Sequence, residues 1–247
     1  MKQYEDRKIA VITGGTKGIG KALTLEYLKH GCFVISIYGR DDEAANLLMN
    51  EIRKEYWNMI ELIKADLSQI TEAEQVCIYI YEKYKKINYI ILNAAVTNRN
   101  KFGEISIEDW NYVMNVNLNI PFFMLQKLNG CIQRGGSVLL VGAVMGIYPH
   151  AISIPYAVSK AGLHMLAKQL VKHLSSKKVT VNVIAPGFVE TTWQKDKPLE
   201  QRMRIENKIA LKRFAKPEEI AQFSWEVMQN KYLNGSLLTI DGGYCYE

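Results

Sequence analysis

The sequence is poor in cysteine. Four occur among 247 residues, Cys32, Cys77, Cys131 and Cys245, and no two stand in CxxC spacing. That excludes a disulfide framework and a zinc-ligand pattern, and it predicts a metal-free chain suited to a reducing, cytoplasmic setting. No apolar run approaches the roughly 18 residues of a membrane span. The opening "MKQYEDRKIAVIT" is too charged, and its apolar run too short, for a secretion signal. Long linkers, internal repeats and low-complexity tracts are missing too, so residues 1–247 are expected to form one domain. Lys and Arg outnumber Asp and Glu by 31 to 25, a net charge of +6. These cations are spread along the chain and form no stripe, which argues against a nucleic-acid partner. What remains is 48% hydrophobic and 23% charged, the profile of a globular protein with a sizeable core.

The apolar residues are ordered. Short runs rich in Ile and Val ("KIAVITGG", "CFVISIYG", "MIELIKADL", "INYIILNAA", "SVLLVGA", "VTVNVIAPG", "SLLTIDGG") alternate with helical patterns. The first helix stops at Lys29, His30 and Gly31. Asp41 is placed to cap a helix over "DDEAANLLMNEIRKEY". Thr71 and Glu74 read as a capping box for the next one. A single helix is expected over "SIEDWNYVMNVNLNIPFFMLQKL", another from about Tyr156 to Ser175, and a last one after Pro217. Between the last two helices the stretch "TTWQKDKPLEQRMRIEN" reads as irregular. This alternation predicts an α/β, Rossmann-type, doubly wound parallel sheet with helices on both faces.

"VITGGTKGIG" leaves the first strand and enters the first helix, with Gly14, Gly18 and Gly20 in G-x-x-x-G-x-G spacing. Such a turn lets a diphosphate approach the main chain at a helix N-terminus. A strand followed by a helix is the context that makes this pattern specific for a dinucleotide. The end of the second strand selects between NAD and NADP. A carboxylate there, roughly 20 residues beyond the glycines, favours NAD. The sequence instead has Tyr38, Gly39 and Arg40, and Lys17 lies within the glycine turn. The two cations point to NADP(H).

Four Y-x-x-x-K matches occur: Tyr4/Lys8, Tyr79/Lys83, Tyr81/Lys85 and Tyr156/Lys160. Context singles out the last, which follows "SVLLVGA" and puts both side chains on one helix face. With "AVITGGTKGIG", "ADL", "LNAA", "NVNL", "YAVSKAG", "VNVIAPGFVET" and "GSLLTIDGG" in order, the chain resembles the short-chain dehydrogenase/reductase family. Its 3-oxoacyl-carrier-protein reductases are the most similar-looking branch. The resemblance implies that Tyr156 is the general acid/base, Lys160 supports it and holds the nicotinamide ribose, and Asn117 anchors a water. It implies cofactor contacts at Gly14, Thr16, Lys17, Gly18, Ile19, Gly20, Arg40, Asp66, Leu67, Asn93, Ala94, Pro186, Gly187, Val189 and Thr191, besides Tyr156 and Lys160. A lid over the substrate, a homotetramer, and contacts of Arg134 and Lys177 near the active-site mouth with an acidic carrier protein are also implied. An ammonium beside Tyr156, together with the positive nicotinamide ring, is expected to bring its phenol towards neutrality.

One departure stands out. The family's serine, 13 residues ahead of the tyrosine, is Ala143 here, and neither Gly142 nor Val144 carries a hydroxyl. Losing one donor to a reacting oxygen costs about 2.7–4 kcal/mol, or about 10²–10³ in rate. Ser153 and His150 are candidate replacements beside Ala143 in the substrate region. The expected function is NADP(H)-dependent reduction of a ketone, such as a 3-oxoacyl thioester or related biosynthetic carbonyl, to a secondary alcohol. The alternative is a cofactor-binding homologue without turnover.

Overall fold

The computed structural model describes residues 4, 6–149, 153–195 and 197–246. Seven strands form one sheet: β1 Ile9–Thr13, β2 Phe33–Tyr38, β3 Ile60–Lys64, β4 Ile87–Leu92, β5 Ile132–Val141, β6 Thr180–Pro186 and β7 Leu237–Ile240. Their order is β3-β2-β1-β4-β5-β6-β7, and every pairing is parallel. β1 and β6 are buried at every position because helices cover both faces of a parallel sheet, so near-continuous Ile and Val suit them. One apolar layer gathers Val11, Ile35, Ile90, Leu140 and Val183 under α3 (Ile70–Tyr84), α5 (Ile120–Leu128) and α6 (Ile154–Leu174). The other gathers Ile12, Val34, Ile91 and Ile184 under α1 (Gly18–Lys29) and α9 (Pro217–Gln229). Strand order reverses between β1 and β4, which opens a crevice at their carboxyl ends.

Several local expectations hold. Gly31 takes φ +76° after α1, and Asp41 accepts the Ala44 N–H at 2.9 Å to cap α2 (Asp42–Glu51). Others change. α2 stops at Glu51, because the next residue, Ile52, turns extended and buries itself in the core. The Thr71–Glu74 box does not form. The chain turns at Asp66, whose side chain accepts the Ser68 N–H, so α3 begins at Ile70 with Gln69 as an unbonded cap. The long central helix is α4 (Ile107–Met114) and α5 joined by a π-turn at Asn115–Asn119. Pro121 has no N–H to return to Asn117, four residues earlier, so the ladder widens there. The stretch read as irregular contains α7 (Thr192–Lys195) and α8 (Leu199–Lys208).

Candidate active site

The glycine turn at the end of β1 is built for close approach. Gly14 and Gly18 take φ +66° and +50°, and a Cβ on Gly20 would stand 1.9 Å from the Gly14 carbonyl oxygen. Thr13 Oγ1 accepts the N–H groups of Asn93 and Ala94 at 2.9 and 3.0 Å, and Asn93 Nδ2 donates to the Thr13 carbonyl at 3.0 Å. These bonds tie the ends of β1 and β4 on either side of the crevice. Lys17 precedes α1 without capping it, so the first helical N–H groups, at Gly18, Ile19 and Gly20, lack a side-chain acceptor. That is the donor set a diphosphate takes. Thr16 is buried at the turn, and a Cβ on Gly18 would meet Thr191 Cγ2 at 3.0 Å. Pro186 ends β6, the N–H of Gly187 just after it bonds the Ile240 carbonyl, and Val189 bridges Ala215. Leu67 is buried in the core beside Asp66. The ends of β1 and β4 and the segment after β6 therefore converge on a glycine turn whose backbone fits a dinucleotide.

The two cations at the end of β2 are not free. Arg40 donates Nε and Nη2 to Asp66 Oδ2 at 2.9 and 2.6 Å, and Lys17 Nζ lies 2.6 Å from Asp41. A carboxylate thus does sit just past this strand, held by Lys17 and by the cap of α2. The Arg40 side chain is 82% exposed, and an exposed ion pair is weak enough to exchange partners.

Tyr156 and Lys160 lie one turn apart near the start of α6, at the carboxyl end of β5. Lys160 is 2% exposed, its Nζ donates to the Val141 carbonyl at 2.6 Å, and it lies 5.6 Å from the Tyr156 ring centroid. Burial pushes the Lys160 ammonium down to about 7 and pushes the Tyr156 phenol above its ordinary value. The expected lowering of the phenol calls on the positive nicotinamide ring as well as on Lys160. Lys160 points its charge at a backbone carbonyl, and desolvation dominates both groups. A protonated phenol is the form that donates. Lys160 also sets a stability test. Its folded pKa lies below the unfolded value near 10.4, so the unfolded chain holds more protons between about pH 7 and 10. Lys160→Met is expected to stabilise the cofactor-free protein at pH 6.5 by about 1–4 kcal/mol, with the gap shrinking as pH rises towards 10. Urea unfolding at pH 6.5 and 9.5 measures it, and equal gaps at both pH values would contradict it.

Asn117 is 1% exposed in the π-turn. Its Oδ1 accepts the Val96 N–H at 2.8 Å, and its Nδ2 donates to the Val96 carbonyl and to Ser159 Oγ at 2.9 and 3.0 Å. The amide thereby joins the β4 loop to α6, with both of its hydrogens used. Ser159, a partner that spacing did not single out, donates its hydroxyl to the Tyr156 carbonyl at 2.7 Å. Ser153 is buried and shares a 2.8 Å hydrogen bond with Thr97, while its hydroxyl lies 2.5 Å from the Asn98 carbonyl. That carbonyl can only accept, so the Ser153 proton is committed away from any substrate. His150 lies outside the described residues. Trp193 of α7 packs edge-on to Tyr156, with ring centroids 5.9 Å apart, so the segment after β6 reaches over Tyr156. Arg202 of α8 braces it, bonded to Glu190 and to Glu206 at 2.8 Å.

Arg134 and Lys177 do not join this site. Arg134 donates to the Ser176 carbonyl and Lys177 to the Asn129 carbonyl, both near the amino end of β5. Arg134 lies at the start of β5 and Val141 at its end, and the length of α6 separates Lys177 from Tyr156 by about 27 Å. Parallel strands put a helix's far end at the opposite edge of the sheet from its start. Among the described residues no helix is long and apolar enough to cross a membrane, and no His, Cys, Asp or Glu cluster could hold a metal.

Residues 8–202 match the model of the short chain dehydrogenase family. The 3-oxoacyl-acyl-carrier-protein reductase FabG of Thermotoga maritima is 34% identical over 243 residues, 96% of this chain and 97% of that protein. A short-chain dehydrogenase/reductase from Serratia marcescens superposes with a TM-score of 0.89 at 26% identity, covering 96% of this chain and 97% of that one. A short chain dehydrogenase from Burkholderia cenocepacia in complex with NADP has the same fold, with a TM-score of 0.90 at 23% identity over 96% of this chain and 98% of that one. With the glycine cradle, the switch-point crevice and the Tyr156–Lys160 pair already in place, these matches make the chain a member of the short-chain dehydrogenase family and an oxidoreductase.

Proposed function

We propose that the protein reduces a ketone, a 3-oxoacyl thioester or a related biosynthetic carbonyl, to a secondary alcohol with NADPH. The observation that carries this reading is Tyr156, met edge-on by Trp193 and one helical turn from buried Lys160, at the carboxyl end of β5. The glycine turn and the open N-terminus of α1 hold the diphosphate. Arg40 and Lys17 exchange Asp66 and Asp41 for a 2′-phosphate. Asn93 and Asp66 border the adenosine, and Val189 and Thr191 border the nicotinamide. Bound NADPH supplies a hydride. Tyr156 gives its phenolic proton to the substrate oxygen as negative charge develops there. Lys160, held by Val141, stabilises the phenolate left behind, and Trp193 keeps water from the phenol. The name of the Thermotoga relative supports a thioester substrate, and the NADP complex of the Burkholderia protein supports the cofactor.

The test follows NADPH absorbance with acetoacetyl-CoA and a panel of simple ketones, in the wild type and in Arg40→Ala. Turnover is expected with NADPH, and Arg40→Ala should raise the KM for NADPH about tenfold while leaving that for NADH unchanged, since one charge-assisted contact is removed. Firm NADPH binding without turnover on any carbonyl would overturn the reductase reading. An Arg40→Ala enzyme that keeps its NADPH preference would overturn the assignment of Arg40.

A further inference from the structure

His164 has no part in the chemistry described above, yet it is built into the wall beside it. It lies on the same face of α6 as Tyr156 and Lys160, at i+8 and i+4. It is 5% exposed, and its Nε2 accepts the backbone N–H of Ala143 at 3.4 Å. The surrounding glycines fit the ring. A Cβ on Gly142 would stand 2.3 Å from Nε2, and one on Gly146 would stand 2.7 Å from Cε1. Three consecutive residues at the end of β5 are thus gripped in turn. Val141 accepts from Lys160, Gly142 donates to Ile184 at 2.8 Å, and Ala143 donates to His164. Two of these three bonds come from the helix that carries the acid.

The ring can accept only if Nε2 is unprotonated, which places its single proton on Nδ1. Burial, then the charges of Lys160 and Lys168, hold its pKa down to about 4. The strand end and loop packed there present Gly142, Ala143, Gly146 and Val183, none of which titrates.

We infer that His164 is a positioning residue: as the neutral Nδ1–H tautomer it holds the end of β5, and with it position 143, in register with Tyr156 and Lys160. The catalytic part of this inference rests on Tyr156 being the acid. With no hydroxyl at position 143, the substrate carbonyl is aligned by the shape of that wall, and a displacement of about 1 Å there costs up to about 10²-fold in rate.

Two variants and three readouts test it. His164→Leu keeps an apolar body but removes the acceptor. His164→Gln restores a polar acceptor at about the reach of Nε2. Long-range 15N NMR of the wild-type imidazole is expected to show the Nδ1–H tautomer, still neutral at pH 5. His164→Leu is expected to expose the Ala143 amide to faster hydrogen exchange and to lower kcat about tenfold, with the KM for NADPH within about twofold. His164→Gln is expected to recover most of both losses. An Nε2–H tautomer in the wild type, or a His164→Leu enzyme with unchanged kcat and unchanged Ala143 exchange, would overturn the inference. The tautomer and the amide exchange need no turnover, so they decide the structural role even if Tyr156 proves not to be the acid. The tautomer needs only wild-type protein, so it decides that role even if His164→Leu does not fold.

Discussion

Tyr156→Phe is expected to lower kcat by about 10³–10⁴-fold, while the Kd for NADPH, read by fluorescence titration, changes by less than about threefold. The substitution removes one oxygen and keeps the ring, so the edge contact with Trp193 and the contact with Lys160 persist. What disappears is the proton. The loss should be near the upper end for an acid catalyst because replacements are scarce: Ala143 carries no hydroxyl, and Ser153 spends its proton on the Asn98 carbonyl. Lys160 cannot step in, since its Nζ is turned to the Val141 carbonyl. Activity within tenfold of wild type would remove Tyr156 from the mechanism.

Ala143→Ser should move the rate the other way, raising kcat/KM for a ketone by about 10–10²-fold, below the full value of an optimised oxyanion donor. The backbone tolerates the change. Ala143 is extended, at φ −164° and ψ 151°, and its N–H and carbonyl are already bonded to His164 and Gly146. The added hydroxyl finds its partner only when substrate is bound, and a buried hydroxyl without a partner costs about 1–3 kcal/mol. A more active enzyme that unfolds at slightly lower urea is therefore the expected pair of results. An unchanged rate with full folding would mean that some other group already supplies the second hydrogen bond to the substrate oxygen.

The layered α/β class, the glycine turn and the one Y-x-x-x-K that opens a helix after β5 were legible along the chain. Each of these is a short-range pattern. Strand and helix periods, a glycine forced by a positive φ, and two side chains on successive helical turns are all written within a few residues. The same locality explains the errors. A capping box predicted from Thr71 and Glu74 lost to a turn set by Asp66, and the π-turn at Asn117 depended on Pro121 four residues on. What meets across the chain depends on the packing of distant segments. Arg40 found Asp66 26 positions away, Lys17 found Asp41 24 away, and Ser153 found Asn98 55 away. Parallel strand order carried Arg134 and Lys177 to the edge opposite Tyr156. His164 joins the wall at Ala143 only because the end of β5 lies against it in space. Spacing along a chain encodes which face a side chain occupies, but the partner on that face is set by which strands lie side by side.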